Sequence, residues 1–381
     1  MFRKRIDFRL RHLATIFLFF VLFTASHITD GYAAWDCNCT PDVCAEYQTA
    51  VNDAGREATP DRISRNLIAI TVDNPNLIWE NGMVGSRVLV ASYASDDGGK
   101  TKPCTDCQYY RTKWVTVVPE LCNFFKNKEF STRRLEQVLG LPPCYGNSKV
   151  IEFFVSPSDL IRPSPDPEII DQEASLDFPW ENNWAIQLKS YAPDDPSNLF
   201  DDFNPQCSCP FNPADPCHHQ TANYEEWFND RNAVIYGTNP PNCGAPYPWT
   251  RLGYTYDWGN DHDHEGPSEF VLLGGQNRGV TLTILSVTDE KEYFKPTPAQ
   301  RPSLTVTKPG GGHGTVTSSP AGISCGQACS KAFQKYTRVT LTAKPSPGSA
   351  FVGWGGQCHG STASTCTVTM YESKSVEVQF E

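Results

Sequence analysis

From Ser303 to Glu381 the chain alternates apolar and polar residues with a period of two. In VTLTA, Val339, Leu341 and Ala343 fall on one side and Thr340 and Thr342 on the other. In SVEVQF, Val376, Val378 and Phe380 repeat the pattern. Side chains alternate across a strand, so this spacing commits the segment to half-buried antiparallel strands. A unit this small has a thin core and is commonly stapled. Four cysteines, Cys325, Cys329, Cys358 and Cys366, stand among its strands.

The order GTVTSSPAGISC, GSAFVGW, KSVEVQF resembles the divergent internalin B-repeat family, small β modules of exported and surface proteins in bacteria. The resemblance covers residues 303–381. A longer glycine run around His313 and the single copy are departures from the family pattern. The resemblance implies a spacer, stalk or adhesion part rather than a catalyst. Four cysteines allow three connectivities. Local pairs, Cys325 with Cys329 and Cys358 with Cys366, are favoured, each contributing ~2–3 kcal/mol through loop closure. Trp354 reads as core, and His313 and His359 as exposed loop residues.

The chain start reads as an export signal, residues 1–34. Arg3, Lys4, Arg5, Arg9 and Arg11 precede the apolar run Leu13–Phe23, and Gly31-Tyr32-Ala33 supplies small residues for cleavage. The run is too short to span a bilayer, which takes roughly twenty residues. All fifteen cysteines follow it, as expected of an oxidising destination: secreted, periplasmic or cell surface. The formal net charge is −11, and loss of residues 1–34 makes the remainder more acidic. An acidic surface argues against nucleic acid or an anionic membrane as partner. No later segment is apolar enough to span a membrane. With 30 prolines and 27 glycines, many turns are expected.

Residues 35–288 are expected to form a large, disulfide-bonded, β-rich domain with a few short helices. Residues 289–302 (DEKEYFKPTPAQRP) read as a linker, and 303–381 as the terminal module. Strands are expected at 66–72, 87–93, 109–118, 149–155, 251–258, 269–273 and 280–287. Short helices are expected through RRLEQVLG, capped by Ser131 or Thr132, and through TANYEEWFN. Residues 156–220 read as ordered loops.

Eleven cysteines lie in the large domain, an odd number, so at least one is free, bridged between chains or ligated. Cys104-Thr-Asp-Cys107 has the spacing of a redox dithiol but lacks the following helix that would activate a thiolate. Cys207-Ser-Cys209 with Cys217-His218-His219 offers soft zinc ligands, or disulfides beside a solvated histidine pair. His262 and His264 share a face if extended, and Glu269 follows at a strand start. Such a set suits a divalent transition metal, the only cofactor implied. It resembles the first metal motif of the cupins, although the second motif, with its third histidine, is absent. A polar loop joining two strands fits the same residues.

On an extended 247–258, Arg251 and Asp257 share a face, flanking a glycine that would admit a ligand. Glu152 and the segment containing Asp159, Arg162, Asp166 and Glu168 add acid and base candidates, which structural ion pairs would equally explain. No GxSxG, HExxH or P-loop is present. These features favour a non-catalytic exported protein that binds an unknown ligand or surface partner through Glu152, Arg251 and Asp257. An extracellular metal-dependent enzyme built on His262, His264 and Glu269 is the alternative. A metal-free hydrolase using Glu152 or Asp257 ranks below both.

Overall fold

The structure is a computed structural model and describes residues 39–56, 58–126, 128–178, 224–236, 247–260, 262–274, 279–295 and 301–381. The expected signal, residues 1–34, lies outside these, as do Cys207, Cys209, Cys217, His218 and His219. The fold is mainly β. The first helix is α1 (Pro41–Ala54). It is followed by β1 (Val88–Ser95), β2 (Cys104–Tyr109), β3 (Lys113–Val117), α2 (Glu120–Phe125), α3 (Thr132–Val138), β4 (Asn147–Val155) and β5 (Leu160–Ile161). Next come α4 (Tyr224–Tyr236), β6 (Tyr254–Tyr256), β7 (Glu265–Ser268), β8 (Phe270–Leu272), β9 (Val280–Asp289) and α5 (Glu290–Phe294). No helix of the described residues is long and apolar enough to cross a membrane.

β1 and β4 are runs of apolar residues buried on both faces, the composition of central strands. They pair antiparallel at the middle of a seven-stranded sheet ordered β2-β9-β4-β1-β3-β8-β5. One face carries Val88 and Val90, Val115 and Val117, Ile151 and Phe153, and Leu282. Residues 66–79, expected to begin with a strand, form no strand. They run extended over part of this face, where Ile70 N–H donates to Ile169 O at 2.7 Å and Ile68 N–H to Ser268 Oγ at 2.8 Å. The other face carries Leu89, Ala91, Val150 and Phe154 under Tyr293.

The helix over RRLEQVLG is α3, capped as expected: Ser131 Oγ accepts from Arg134 N–H at 3.1 Å. α1 was not expected, although Val43, Tyr47, Ala50, Val51 and Ala54 are its buried stripe and Pro41 stands at its start. Cys39 bonds Cys144, which ties the start of α1 to the turn after α3. The expected strand 109–118 breaks at residues 110–112 into β2 and β3.

Within the expected linker, 289–302, Glu290–Phe294 form α5. Asp289 caps α5 by accepting from Lys291 N–H at 3.0 Å. Glu290 is buried and accepts hydrogen bonds from Tyr93 and Thr132, which fasten α5 to β1 and α3.

The C-terminal unit holds β10 (Ser303–Thr307), β11 (Gly314–Ser319), β12 (Ser324–Cys325), β13 (Ser330–Ala332), β14 (Arg338–Pro345), β15 (Phe351–Gly356), β16 (Thr365–Thr369) and β17 (Lys374–Phe380). They form two four-stranded sheets, β13-β10-β17-β15 and β12-β11-β14-β16. Pairing is antiparallel except between β10 and β17, which run parallel. Burial in β17 alternates strictly, with Val376, Val378 and Phe380 inside. Cys325 bonds Cys329 and Cys358 bonds Cys366. Trp354 is buried, its indole N–H donating to Ala363 O at 2.8 Å.

Candidate binding cleft on the central sheet

The candidate residues named from sequence occupy separate places. Glu152 lies at the centre of β4 with no exposed surface. Ser286 Oγ donates to its carboxylate at 2.7 Å, and Lys335 of the C-terminal unit pairs with it at 2.6 Å. Asp257 is 1% exposed and held in a two-pronged bond by Arg134, at 2.6 and 2.5 Å. Arg251 has φ 60°, which takes it out of any strand. Its guanidinium donates to Ala54 O, Arg56 O and Asn232 Oδ1. Glu152, Arg251 and Asp257, expected to serve one ligand site, are thus each bound to a protein partner on a different element.

The glycine flanked by Arg251 and Asp257 admits a neighbour, but a protein one. Gly253 has φ 76°, and a Cβ there would stand 2.6 Å from Arg162 Cδ. Arg162 is 1% exposed and donates to Asp171 O at 2.7 Å, so it braces the loop after β5.

The three metal candidates lie in different settings. His262 is exposed, in a turn rather than a strand. His264 stacks on Tyr256, centroids 4.5 Å apart, and its Nδ1 lies 3.2 Å from Asp257 O. Glu269 sits between β7 and β8 with Oε2 buried and no hydrogen-bond partner among the described residues. Burial pushes its carboxyl well above the usual carboxylate range. Among the described residues no group of three His, Cys, Asp or Glu side chains is arranged to hold a metal.

Cys104 and Cys107 are bonded to each other on β2. Among the described residues Cys122 is the free cysteine. It is packed beneath the sheet, where burial pushes its thiol up to about 12. A buried protonated thiol is a poor nucleophile or metal ligand.

A concave feature lies on the sheet face that carries Ile151 and Phe153. A cavity of about 800 Å³ opens there. Its floor is Ile151 and Phe153 of β4 with Leu282, Ile284 and Val287 of β9, beside Tyr109 of β2. A bulge makes this floor possible. Ile151 pairs with Val287, Glu152 with Ser286 and Phe153 with Ile284, so one extra residue is inserted in β9. Leu282, Ile284 and Val287 then face the cavity together, while Ser286 turns to Glu152 on the opposite face.

The wall carries Lys102, Arg111, Lys113 and Lys149, with Asp96 and Asp97. Both acids are engaged. Asp96 pairs with Lys149 at 3.3 Å, and Asp97 accepts from Lys100 N–H, Thr101 N–H and Thr101 Oγ. Lys113 shares the face of Val115 and Val117. Burial, aided by the charge of Arg111 and opposed by Asp97, pushes its ammonium below the usual lysine range. Neither Lys113 nor Arg111 has a carboxylate partner among the described residues. Sequence reasoning missed this site because its residues come from four segments and carry no motif. The available signal was Lys113 at an inward position of the alternating run KWVTV.

No curated protein and no solved structure matches the chain. Residues 304–381, the unit of two four-stranded sheets and two local disulfides, match the model of the divergent InlB B-repeat domain.

Proposed function

We propose that this chain is an exported binding protein that takes a small ligand into the cleft on its central sheet and carries a C-terminal B-repeat unit as a surface or spacer part. The observation that carries this reading is the cavity of about 800 Å³ with an apolar floor and a polar wall. A size of roughly 300–1,000 Å³ and a few placed polar groups on an apolar lining are what small-molecule sites have. Asp257 and Glu152 are held by Arg134 and Lys335 rather than poised at this cleft. The disulfides and the B-repeat unit support export and a surface setting.

The test is equilibrium binding of the neutral apolar fluorophore N-phenyl-1-naphthylamine to the full mature chain and to Ala94→Trp, which grows a ring into the cavity. Saturable binding by the parent and its loss in the variant is the expected result. Equal binding by both proteins places the probe elsewhere and overturns the cleft. Turnover of any bound compound would overturn the non-catalytic reading.

A further inference from the structure

We infer that the ligand of this cleft is an apolar-bodied anion, such as a carboxylic acid with a hydrocarbon or aromatic body, its acid group received by Lys113 and Arg111. The inference rests on the reading of the cleft as a binding site and adds the chemical class of what binds there.

The charges of the wall divide into two sets. Lys149 is satisfied, with Asp96 at 3.3 Å and Asp289 at 3.8 Å. Asp97 is spent on its own loop, where it closes the turn at Lys100 and Thr101. That leaves Lys102, which is exposed, and the neighbouring cations Lys113 and Arg111, of which Lys113 is half-buried and is opposed by the charge of Arg111. A like-charged pair at a partly desolvated site is unfavourable until an anion enters between them. The guanidinium supplies a planar fork and the ammonium a point charge, which together suit a carboxylate or a sulfonate.

The floor decides the rest of the ligand. Ile151, Phe153, Leu282, Ile284 and Tyr109 present carbon to the cavity. A small, fully hydrated inorganic anion would leave that surface wet. An apolar body covers it, and binding tightens with each methylene that leaves water. One end charged and the other apolar is the ligand that satisfies both halves of the lining.

The experiment compares a matched pair of probes, 11-(dansylamino)undecanoic acid and its methyl ester, on the full mature chain. The expected result is tighter binding of the acid by about tenfold or more, the scale of a charge-assisted hydrogen bond. Lys113→Met, which keeps the bulk and removes the charge, should bring the acid down to the affinity of the ester. Arg111→Gln provides the same comparison should Lys113→Met fail to fold. If acid and ester bind equally and Ala94→Trp abolishes both, the cleft stands and the anion inference falls. If neither probe binds, or Ala94→Trp changes nothing, both readings fall.

Discussion

Lys335 Nζ of the C-terminal unit lies 2.6 Å from the carboxylate of Glu152 at the centre of the large domain's sheet. Glu152 has no exposed surface, while the Lys335 side chain is 22% exposed and its ammonium lies over the rings of Tyr293 and Tyr336 at 5.4 and 5.1 Å. Tyr371 meets Phe154 edge-on at 5.5 Å beside it. Arg338 donates to Pro75 O at 2.8 Å. The B-repeat unit is thus seated on the sheet face opposite the cleft. Deleting one partner of a buried pair leaves an uncompensated charge and costs about 3–5 kcal/mol. Lys335→Met should therefore lower the stability of the full chain by about 3 kcal/mol, and Glu152→Gln combined with Lys335→Met should recover most of the loss. Guanidinium denaturation of the four proteins of this cycle measures it, and additive single effects would contradict the coupling.

Glu120 sets a pH dependence. Its carboxylate accepts from Ser268 N–H and Ser268 Oγ, both at 2.9 Å, yet burial outweighs these bonds and raises it to about 7. An unfolded glutamate titrates near 4.3, so between roughly 4.3 and 7 the folded chain holds a proton that the unfolded chain has lost. Stability from this group is complete below that window and is lost as pH rises through it, by about 4 kcal/mol in all. Glu120→Gln keeps an acceptor for Ser268 and should flatten the fall in melting temperature between pH 5 and pH 8. Parallel curves for the two proteins would refute the assignment.

Cys122 should be silent in the native state. A thiol raised to about 12 contains almost no thiolate at pH 8. Iodoacetamide at pH 8, followed by peptide mapping, should leave Cys122 unmodified in folded protein and modify it after denaturation. Labelling of the folded chain at Cys122 would show that the site opens.

The Cys358–Cys366 bridge closes the loop whose Ala363 carbonyl receives the Trp354 indole N–H. Replacing both cysteines by alanine should cost about 2–3 kcal/mol, the entropy of an unclosed loop of this length. The Trp354 emission should shift red at lower denaturant concentration than in the parent, and an unchanged midpoint would deny the bridge a stabilising role.

Strands whose residues alternate or run continuously apolar were legible directly. VTLTA, SVEVQF, RVLVASY and KVIEFFV fall in β14, β17, β1 and β4. Ser131 was legible as a cap because its side chain competes for the first free N–H of a helix. Of the segment 251–258 only Tyr254–Tyr256 is a strand, because Arg251 and Gly253 adopt positive φ. Period two carries no information once the backbone leaves the extended region. His262, His264 and Glu269 have ligand spacing only on an extended chain, and the turn before β7 removes it.

By itself the sequence determined the β class, the stapled terminal unit with its local disulfides, and the alternation that builds the sheets. These follow from contacts between near neighbours and from the side-chain period of a strand. Only the tertiary structure decided that Glu152 and Asp257 are held by Lys335 and Arg134, residues 183 and 123 positions away. It also decided where the cleft lies, because its lining is gathered from four separate segments of the chain. Such a site is made of separations along the chain that no local pattern records. Its chemistry depends on which charges are left over once all the others have been paired.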